Sequence, residues 1–486
     1  VRRYAAAQAL PSDVSPLDHS LKTYAAPRPD PAPVPVRDLE AKLWSGFSRA
    51  ASAELETAIR SKRYSEAERA RAAYVLGRWY LLQGGWQRAL TTFKSIRNLD
   101  VRLFRSKRCK LLVIEASLRT GAFDTAHQII DFALDKKLDG DFSCARGNLL
   151  VAERDHGPEL IEAWLATLNA VYEAAGLVPM ALADSGRGLA FGNWAVPTAV
   201  PPVDGPLVSV LVPVYRAEAF LETSIGSLLA QSWRNLEIIA VDDCSPDGSY
   251  EKLHAMAARD PRLKVFRNDT NLGAYGNRNA ALARATGEYI TVHDSDDWSH
   301  PQMIEAQMRV LVERSDLVAT CSRMVRVQAD LRFMLRPQRE NLEYVHRSYP
   351  SLLMRRDDLA RLGEWDGVSA NADDEFLQRA RALWGENAIE DVLPDVPMSF
   401  FLVHKNSLTQ QKGTSLNSLT FGIRREYGRQ AAYWRRTRGS AEGEGLAHVR
   451  RSMKDPFPIP NGLAPKNWAK NTAYDLVLVS DLSLLG

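Results

Sequence analysis

Acidic side chains cluster at two points in the middle of the chain, each directly after a short apolar run. Asp242 and Asp243 follow residues 236–241, and Asp294 and Asp296 follow residues 289–293. Burying a carboxylate without a partner is costly, so such groups need a base edge, a ribose or a cation beside them. Mg²⁺ commonly takes one or two carboxylates together with substrate phosphates. A D-x-D sequence after a strand therefore suggests metal-assisted handling of a diphosphate, although acidic turns of this kind also occur as solvated loops.

The elements that would position these acids alternate between strand and helix. We expect strands at 207–214, 236–241, 263–267 and 289–293, and helices at 219–231 and 276–285. The strand segments are short, apolar and largely β-branched, as buried parallel strands are. Such alternation predicts an α/β fold with right-handed crossovers. In these sheets ligands bind beyond the carboxyl ends of the strands, which is where the acids fall.

Composition limits the class of protein. A length of 486 residues suggests about three domains at roughly 150 residues each. The 62 basic and 59 acidic residues nearly cancel, so the net charge of +3 gives no support to nucleic-acid binding. The longest strongly apolar run, 207–215, is about half a bilayer span. Four cysteines without a C-x-x-C pair and the lack of a signal-peptide pattern predict a cytoplasmic protein.

Residues from about 207 to 410 resemble the family 2 glycosyltransferases, which are inverting enzymes of the GT-A fold. The matching segments are 208–215 (VSVLVPVY), 236–245 (LEIIAVDDCS), 271–273 (NLG), 277–279 (NRN) and 287–297 (GEYITVHDSDD). Cys244 stands where the family usually has glycine, and His293 where it often has leucine. Neither departure changes a carboxylate that the family uses for ligands.

The resemblance implies roles in donor binding for several residues. The backbone of Pro213, Val214 and Tyr215 would line a nucleobase pocket. Asp243 would accept a hydrogen bond from the base N3–H, which favours uracil. The remaining donor-site residues are Arg278 near the nucleotide, Asp294 and Ser295 facing the ribose or metal, and Asp296 binding Mg²⁺ or Mn²⁺ at the diphosphate. Structural roles for Asp243, Asp296 and Arg278 are the alternatives.

An inverting transfer also needs a base that deprotonates the acceptor hydroxyl. The segment 371–379 (NADDEFLQR) resembles the family's acidic pair at the start of a helix in the acceptor half. Its register puts Asp373 at the base position, and Asp374 is the rival because Ala372 replaces the usual preceding acid. The alternative is that these acids only stabilise a helix N-terminus.

The segment 400–407 (FFLVHKNS) resembles the family's return to the metal and diphosphate. His404 would be a further metal ligand, or Lys405 would bind the phosphates. A histidine that follows an apolar strand also commonly has a purely structural role.

The N-terminal part predicts helices in repeated pairs. Gly84, Ala89 and Phe93 follow a helix with small residues at Ala73 and Gly77, and Gly121, Ala126 and Ile130 take the same places in a second copy. This resembles the tetratricopeptide pattern of about 34 residues per helix pair, with a generic helical bundle as the alternative. Such a domain would dock a protein partner or the growing acceptor.

The predicted organisation has an all-α helical-repeat domain before an α/β GT-A domain with a mostly parallel sheet. Its parts are 1–36, a flexible proline-rich tail or linker; 37–180, the helical-repeat domain; 181–205, a linker; 206–415, the GT-A domain (206–320 the nucleotide-sugar half, 321–415 the acceptor half); 416–472, a basic helical tail; and 473–486, the first strand of a truncated further domain. The arginine-rich tail would either cover the core as a solvated helix or contact the inner face of an anionic membrane.

These patterns predict an inverting transferase that moves a sugar from a nucleotide-diphosphate sugar, with UDP favoured, to a glycan or lipid-linked acceptor in surface polysaccharide biosynthesis. One alternative is a nucleotidyltransferase, which would have a phosphate-binding loop rich in glycine and basic residues after the first strand. The segment 213–218 (PVYRAE) does not have this composition. Another alternative is a catalytically inactive scaffold. The presence of all three acids, Asp243, Asp296 and Asp373, argues against it.

Overall fold

The computed structural model describes residues 32–153, 157–195, 200–337, 342–404, 407, 418, 422–438 and 457–464. The predicted strand at 473–486 and most of the proline-rich segment 1–36 lie outside these residues, as does Lys405. In the described part of the chain, no helix is both long and apolar enough to span a bilayer.

An all-α region covers residues 36–174. Its helices are α1 (Val36–Trp44), α2 (Ser48–Arg60), α3 (Glu66–Leu82), α4 (Trp86–Leu99), α5 (Val101–Arg105), α6 (Lys107–Thr120), α7 (Phe123–Leu134), α8 (Gly140–Glu153) and α9 (Pro158–Ala174). The start of α3 is fixed by a capping box in which Ser65 and Glu68 satisfy each other's backbone amides.

The glycine and alanine pattern of the two predicted copies matches two helix pairs, α3–α4 and α6–α7. Gly84 and Gly121 both have φ near +70° at the turns, a conformation that favours glycine (76° and 71°). A Cβ on Gly77 would lie 2.4 Å from Cε1 of Phe93, so α3 and α4 approach closely only because position 77 has no side chain.

An α/β region follows. Its elements are β1 (Ala181–Leu182), β2 (Trp194–Ala195), β3 (Val208–Val214), α10 (Leu221–Leu229), β4 (Leu236–Asp242), α11 (Ser249–Ala257), β5 (Leu263–Arg267), α12 (Gly273–Leu282), β6 (Tyr289–Val292), β7 (Asp297–Ser299), α13 (Met303–Glu313), β8 (Ala319–Cys321), β9 (Arg323–Val327), β10 (His346–Arg347), β11 (Leu353–Arg355), α14 (Arg356–Leu362), α15 (Ala372–Trp384), β12 (Ile389–Asp391), β13 (Ser399–Leu402) and α16 (Ile423–Arg438).

Two sheets organise this region. The larger has the strand order β12-β8-β11-β6-β3-β4-β5, with β6, β3, β4 and β5 parallel and β11 antiparallel to both of its neighbours. The smaller has the order β10-β9-β13-β7. The central strands β3 and β4 are buried along nearly their whole length, which explains their continuous apolar sequence. Their carboxyl ends place Val214 and Asp242 side by side.

The helical region packs closely against the α/β region. The amide of Asn148 on α8 donates to the Phe333 carbonyl and accepts from the Phe333 N–H, both at 2.8 Å. The Tyr172 hydroxyl donates to the Pro397 carbonyl, and Trp164 stacks on Phe333 with ring centroids 5.6 Å apart. Apolar residues of both regions therefore form one continuous core.

The segment 181–205, predicted as a linker, contains the β1–β2 ribbon. Trp194 stacks on Trp298 with ring centroids 4.9 Å apart, and Asn193 is fully buried. In the predicted tail, α16 buries Tyr427, Ala431 and Trp434 against the acceptor half. This helix therefore covers the core with one face.

Candidate active site

A single cavity of about 1190 Å³ lies beyond the carboxyl ends of β3, β4 and β6. It exceeds the roughly 300–1,000 Å³ of common small-molecule sites, so it has room for two substrates. The structure brings every residue that we predicted for the site to the lining of this cavity: Pro213, Val214, Tyr215, Asp243, Arg278, Asp294, Ser295, Asp296, Asp373, Asp374 and His404.

Asp243 anchors the loop that starts α12. Its Oδ1 accepts from the Leu272 N–H at 2.8 Å, and its Oδ2 accepts from the Gly273 N–H at 2.9 Å. Asn268 donates a further hydrogen bond to Oδ1. The carboxylate thus caps a helix N-terminus, a favourable place for negative charge. Because two donors already engage Oδ1, Oδ2 is the oxygen better placed for a ligand.

The buried Arg278 forms an ion pair with the partly exposed Asp294 inside the cavity. The guanidinium donates to Asp294 Oδ1 at 2.7 Å, and the side chain of Arg278 is only 5% exposed. Burial opposes the charge on Arg278, but Asp294, Tyr275 and Asp373 together outweigh it and raise the pKa of the guanidinium. The Nε of Arg278 is buried without a hydrogen-bond partner among the described residues. The pair fixes Asp294 and leaves one buried donor for a ligand.

Asp296 lies next to His404. The Nε2 of His404 is 2.8 Å from Asp296 Oδ2, and the Phe220 ring packs against the imidazole at 4.8 Å. No group of three His, Cys, Asp or Glu side chains that could hold a metal ion occurs in the described ranges. Asp296 and His404 are two adjacent metal ligands that still fit a Mg²⁺ or Mn²⁺ site, since such ions complete their coordination with substrate phosphates and water.

Asp297 is a buried acid of the cavity that the sequence did not predict as a site residue. Its Oδ1 accepts from the Leu402 N–H, whereas its Oδ2 is buried without a hydrogen-bond partner in the part of the chain that the structure describes. Burial, with the nearby Asp296 and Asp294 charges, raises the pKa of Asp297 well above its ordinary value. Burial therefore favours the neutral form of Asp297.

Asp373 faces the donor residues from the first turn of α15. Its Oδ1 accepts from the Tyr275 hydroxyl at 3.0 Å and from the Asp374 N–H at 2.9 Å. Burial raises the pKa of Tyr275, so this hydroxyl stays a neutral donor. Tyr275 was not predicted from the sequence; it lies between the segments 271–273 and 277–279, and no residue pattern marks it. It links the nucleotide half of the domain to the acceptor half.

Comparison with known proteins agrees with this geometry. The family model "Glycosyl transferase family 2" matches residues 209–372, which include β4, β5 and β6 and the acids Asp243, Asp294 and Asp296 and end one residue before Asp373. These residues are a glycosyltransferase family 2 domain. The predicted fold class, an α/β region with a mostly parallel sheet preceded by an all-α region, is confirmed.

The relatives of the family 2 domain cover only part of the chain. An uncharacterized glycosyltransferase of Haemophilus influenzae is 41% identical over 108 residues, which are 22% of this chain and 43% of that protein. A Bacillus subtilis protein named for teichuronic acid biosynthesis, TuaG, is 42% identical over 110 residues, 23% of this chain and 44% of that protein. The match therefore spans less than half the length of either relative.

Two solved structures illustrate the likeness. Staphylococcus aureus TarS in complex with UDP-GlcNAc has a TM-score of 0.35 and 23% identity, covering 41% of this chain and 60% of that one. The mannosyltransferase PcManGT from Pyrobaculum calidifontis, in complex with GDP-Man and Mn²⁺, has a TM-score of 0.33 and 18% identity, covering 43% and 61%.

Proposed function

We propose that this chain is an inverting glycosyltransferase that transfers a sugar from a nucleotide-diphosphate sugar, with UDP favoured, to a glycan or lipid-linked acceptor in surface polysaccharide biosynthesis. The observation that carries the proposal is the cavity that brings Asp243 and Asp296 of the family 2 segment together with Asp373, the residue that directly follows this segment. The names of relatives such as TuaG support the polysaccharide context.

The donor is assigned to the strand-end part of the cavity. Asp243 Oδ2 would accept the N3–H of a uracil, next to the backbone of Pro213–Tyr215. The Arg278–Asp294 pair would orient the ribose and the diphosphate, with the buried Arg278 Nε as an additional donor.

The cation is assigned to Asp296 and His404. A bound Mg²⁺ or Mn²⁺ would neutralise the negative charge that develops on the departing nucleoside diphosphate. The 2.8 Å contact between His404 and Asp296 keeps the two proposed metal ligands together, and Phe220 limits the rotation of the imidazole.

Asp373 is assigned as the base. Its two hydrogen bonds to Tyr275 and Asp374 both use Oδ1, so Oδ2 would receive the proton of the acceptor hydroxyl. The freed oxygen attacks the anomeric carbon from the face opposite the diphosphate. A new glycosidic C–O bond forms as the C–O bond to the diphosphate breaks, which inverts the configuration.

Two interaction predictions accompany the enzymatic proposal. The helical region would bind a protein partner or the acceptor through the surface that it does not use against the α/β region. The exposed arginines of α16, Arg425, Arg429 and Arg436, would contact an anionic membrane.

The test is incubation of the protein with a panel of UDP- and GDP-sugars and a polysaccharide acceptor extract, measuring release of nucleoside diphosphate. We compare wild type with Asp373→Asn and with Asp374→Asn, a matched substitution at the adjacent acid. We expect Asp373→Asn to lose activity at least about a hundredfold, since a general base contributes roughly 10²–10⁴.

Full activity in Asp373→Asn would refute the base assignment. A loss confined to Asp374→Asn would transfer the role to the rival residue. If wild type releases no nucleoside diphosphate from any donor of the panel, the proposed function is wrong.

A further inference from the structure

Part of the same cavity is lined by arginines that the donor assignment does not use. They are Arg323, Arg326, Arg336, Arg347, Arg381 and Arg424. The other acids that line the cavity in the acceptor half, besides Asp373 and Asp374, are Glu343 and Asp391 among the described residues. Positive charge therefore exceeds negative charge in this part of the cavity.

The arrangement of Arg323 and Arg347 shows how the excess arises. Arg347 on the edge strand β10 is the cross-strand partner of Arg323 on β9, so two like charges face each other in an antiparallel pair. Such pairs are destabilising on their own. Asp391 lies between them: its carboxylate accepts from Arg347 at 2.6 and 2.7 Å and lies 3.0 Å from Arg323. One carboxylate cannot neutralise both guanidinium groups.

Arg381 adds a third positive charge from another element. It extends from α15, the helix whose first turn contains Asp373, and its ion pair is with Glu386, whose side chain is 72% exposed. The charged groups that act on the buried Cys321 thiol are Arg347, Asp391, Arg381 and Arg323, so these four groups lie around one point of the fold. Arg323 and Arg347 there share the partly exposed Asp391 carboxylate, and the carboxylate partner of Arg381 is the exposed Glu386.

The Nε of Arg323 is buried and has no hydrogen-bond partner among the described residues. A guanidinium offers its donors as a planar fork that matches the oxygens of a carboxylate or a phosphate. Three such groups in the cavity that also holds the predicted base, Asp373, suit an anion that arrives with the acceptor.

We propose that Arg323, Arg347 and Arg381 form an anion-binding acceptor subsite, so that the acceptor is an acidic saccharide carrying a carboxylate or phosphate group near the reacting hydroxyl. This inference rests on the proposed glycosyltransferase function. It adds the substrate class, which neither the family 2 match nor the donor residues define.

The experiment measures binding of two matched probe pairs to the full chain by calorimetry, in the presence of saturating UDP. The first pair is tetragalacturonate and its fully methyl-esterified form, which differ only in charge. The second pair is a four-unit glycerol phosphate oligomer and uncharged tetraglycerol. We expect a charged probe to bind at least about tenfold more tightly than its neutral partner, the effect of one or two charge-assisted hydrogen bonds. The pair that shows the larger ratio identifies the anion as carboxylate or phosphate.

Arg347→Gln and Arg381→Gln test the residues. We expect each to reduce the charged-to-neutral affinity ratio about tenfold, and Arg361→Gln, at a side chain that is 65% exposed on α14, to leave it unchanged. Thermal unfolding of each variant reports whether it is folded. The two substitutions lie on different elements, β10 and α15, so a reduced ratio in both folded variants reports the loss of the subsite.

Equal binding of charged and neutral probes, or binding of none of them, would overturn the inference. So would an unchanged ratio in both variants. If Arg347→Gln weakens UDP binding as much as probe binding, the arginines serve the donor diphosphate and the acceptor assignment is wrong. Failure of the proposed function is a separate result, since wild type would then release no nucleoside diphosphate from any sugar donor.

Discussion

Protonation of His300 is expected to destabilise the junction between the helical and α/β regions. The imidazole is fully buried and stacks on Tyr172 of α9 with ring centroids 4.7 Å apart. Its Nδ1 accepts from the Gln302 N–H at 3.1 Å, and its Nε2 donates to the Val178 carbonyl at 3.0 Å. Only the neutral ring can make both bonds, since a protonated Nδ1 would face another donor.

The magnitude follows from the pKa. Burial lowers the pKa of His300 from 6.5 to about 4. A lowered histidine pKa means that the unfolded chain binds more protons between these values, so stability falls as the pH falls from 6.5 towards 4. At pH 5 the loss relative to pH 7 is about 2 kcal/mol, approaching about 3 kcal/mol below pH 4.

The assay is urea unfolding at pH 7 and pH 5 for wild type, His300→Asn and His254→Asn. Asparagine at position 300 removes the titrating group while its Oδ1 can still accept from the Gln302 amide. We expect the variant to be less stable at pH 7 but to lose about 2 kcal/mol less than wild type on going to pH 5. His254→Asn controls for removing an imidazole at the exposed surface of α11.

His293 is also buried, and burial lowers its pKa to about 4. Wild type and both variants therefore contain this second acid-sensitive group. The comparison between variants isolates His300. The same change in unfolding free energy between pH 7 and pH 5 in wild type and His300→Asn would refute this reasoning.

Three further predictions concern single positions. Gly77→Ala should lower the free energy of unfolding by about 1–3 kcal/mol because the alanine Cβ would overlap the Phe93 ring. Adding Phe93→Leu to this variant should restore part of the lost stability. An unchanged melting temperature in Gly77→Ala would contradict the close contact between α3 and α4. Cys244 has φ +58°, a backbone conformation that is strained for β-branched residues. Cys244→Gly should therefore change stability by less than about 1 kcal/mol, whereas Cys244→Val should cost about 2 kcal/mol or more. Equal melting temperatures for the two variants would argue against backbone strain at this position. Tyr275→Phe should lower kcat about tenfold with little change in the donor KM, because it removes a hydrogen bond to Asp373 without touching the donor; a kcat equal to wild type would count against this positioning role.

The strands of the larger sheet were predictable because central parallel strands are apolar throughout. Predicted strands at 207–214 and 236–241 compare with Val208–Val214 and Leu236–Asp242, and 263–267 matches Leu263–Arg267. The helix predicted at 276–285 instead spans Gly273–Leu282. The helix starts earlier because the Asp243 carboxylate accepts hydrogen bonds from the amides of Leu272 and Gly273. Asp243 lies about thirty residues earlier in the sequence, so short-range sequence patterns do not reveal this contact.

The acids of the site were predictable because they follow strands directly, and parallel strands end at the same edge of the sheet. The arginine subsite was not. Arg323 and Arg347 become neighbours only through the pairing of β9 with β10, and Arg381 joins them from α15. Nothing in the separate segments marks them, since exposed arginines are common along the chain. The packed ribbon at 181–205 was missed for a related reason: its glycines and prolines indicated a linker, whereas Trp194 is held by a distant partner, Trp298.

We expect the strand-end acids to hold a cation-bound nucleoside diphosphate. Calorimetric titration of UDP into wild type and Asp296→Ala, each with Mg²⁺ and with a chelator, measures this binding. Chelation is expected to weaken UDP binding to wild type at least about tenfold, because a divalent ion would bridge carboxylate and phosphate. Asp296→Ala is expected to bind UDP weakly with or without Mg²⁺. UDP affinity that is unchanged by both chelation and Asp296→Ala would contradict it.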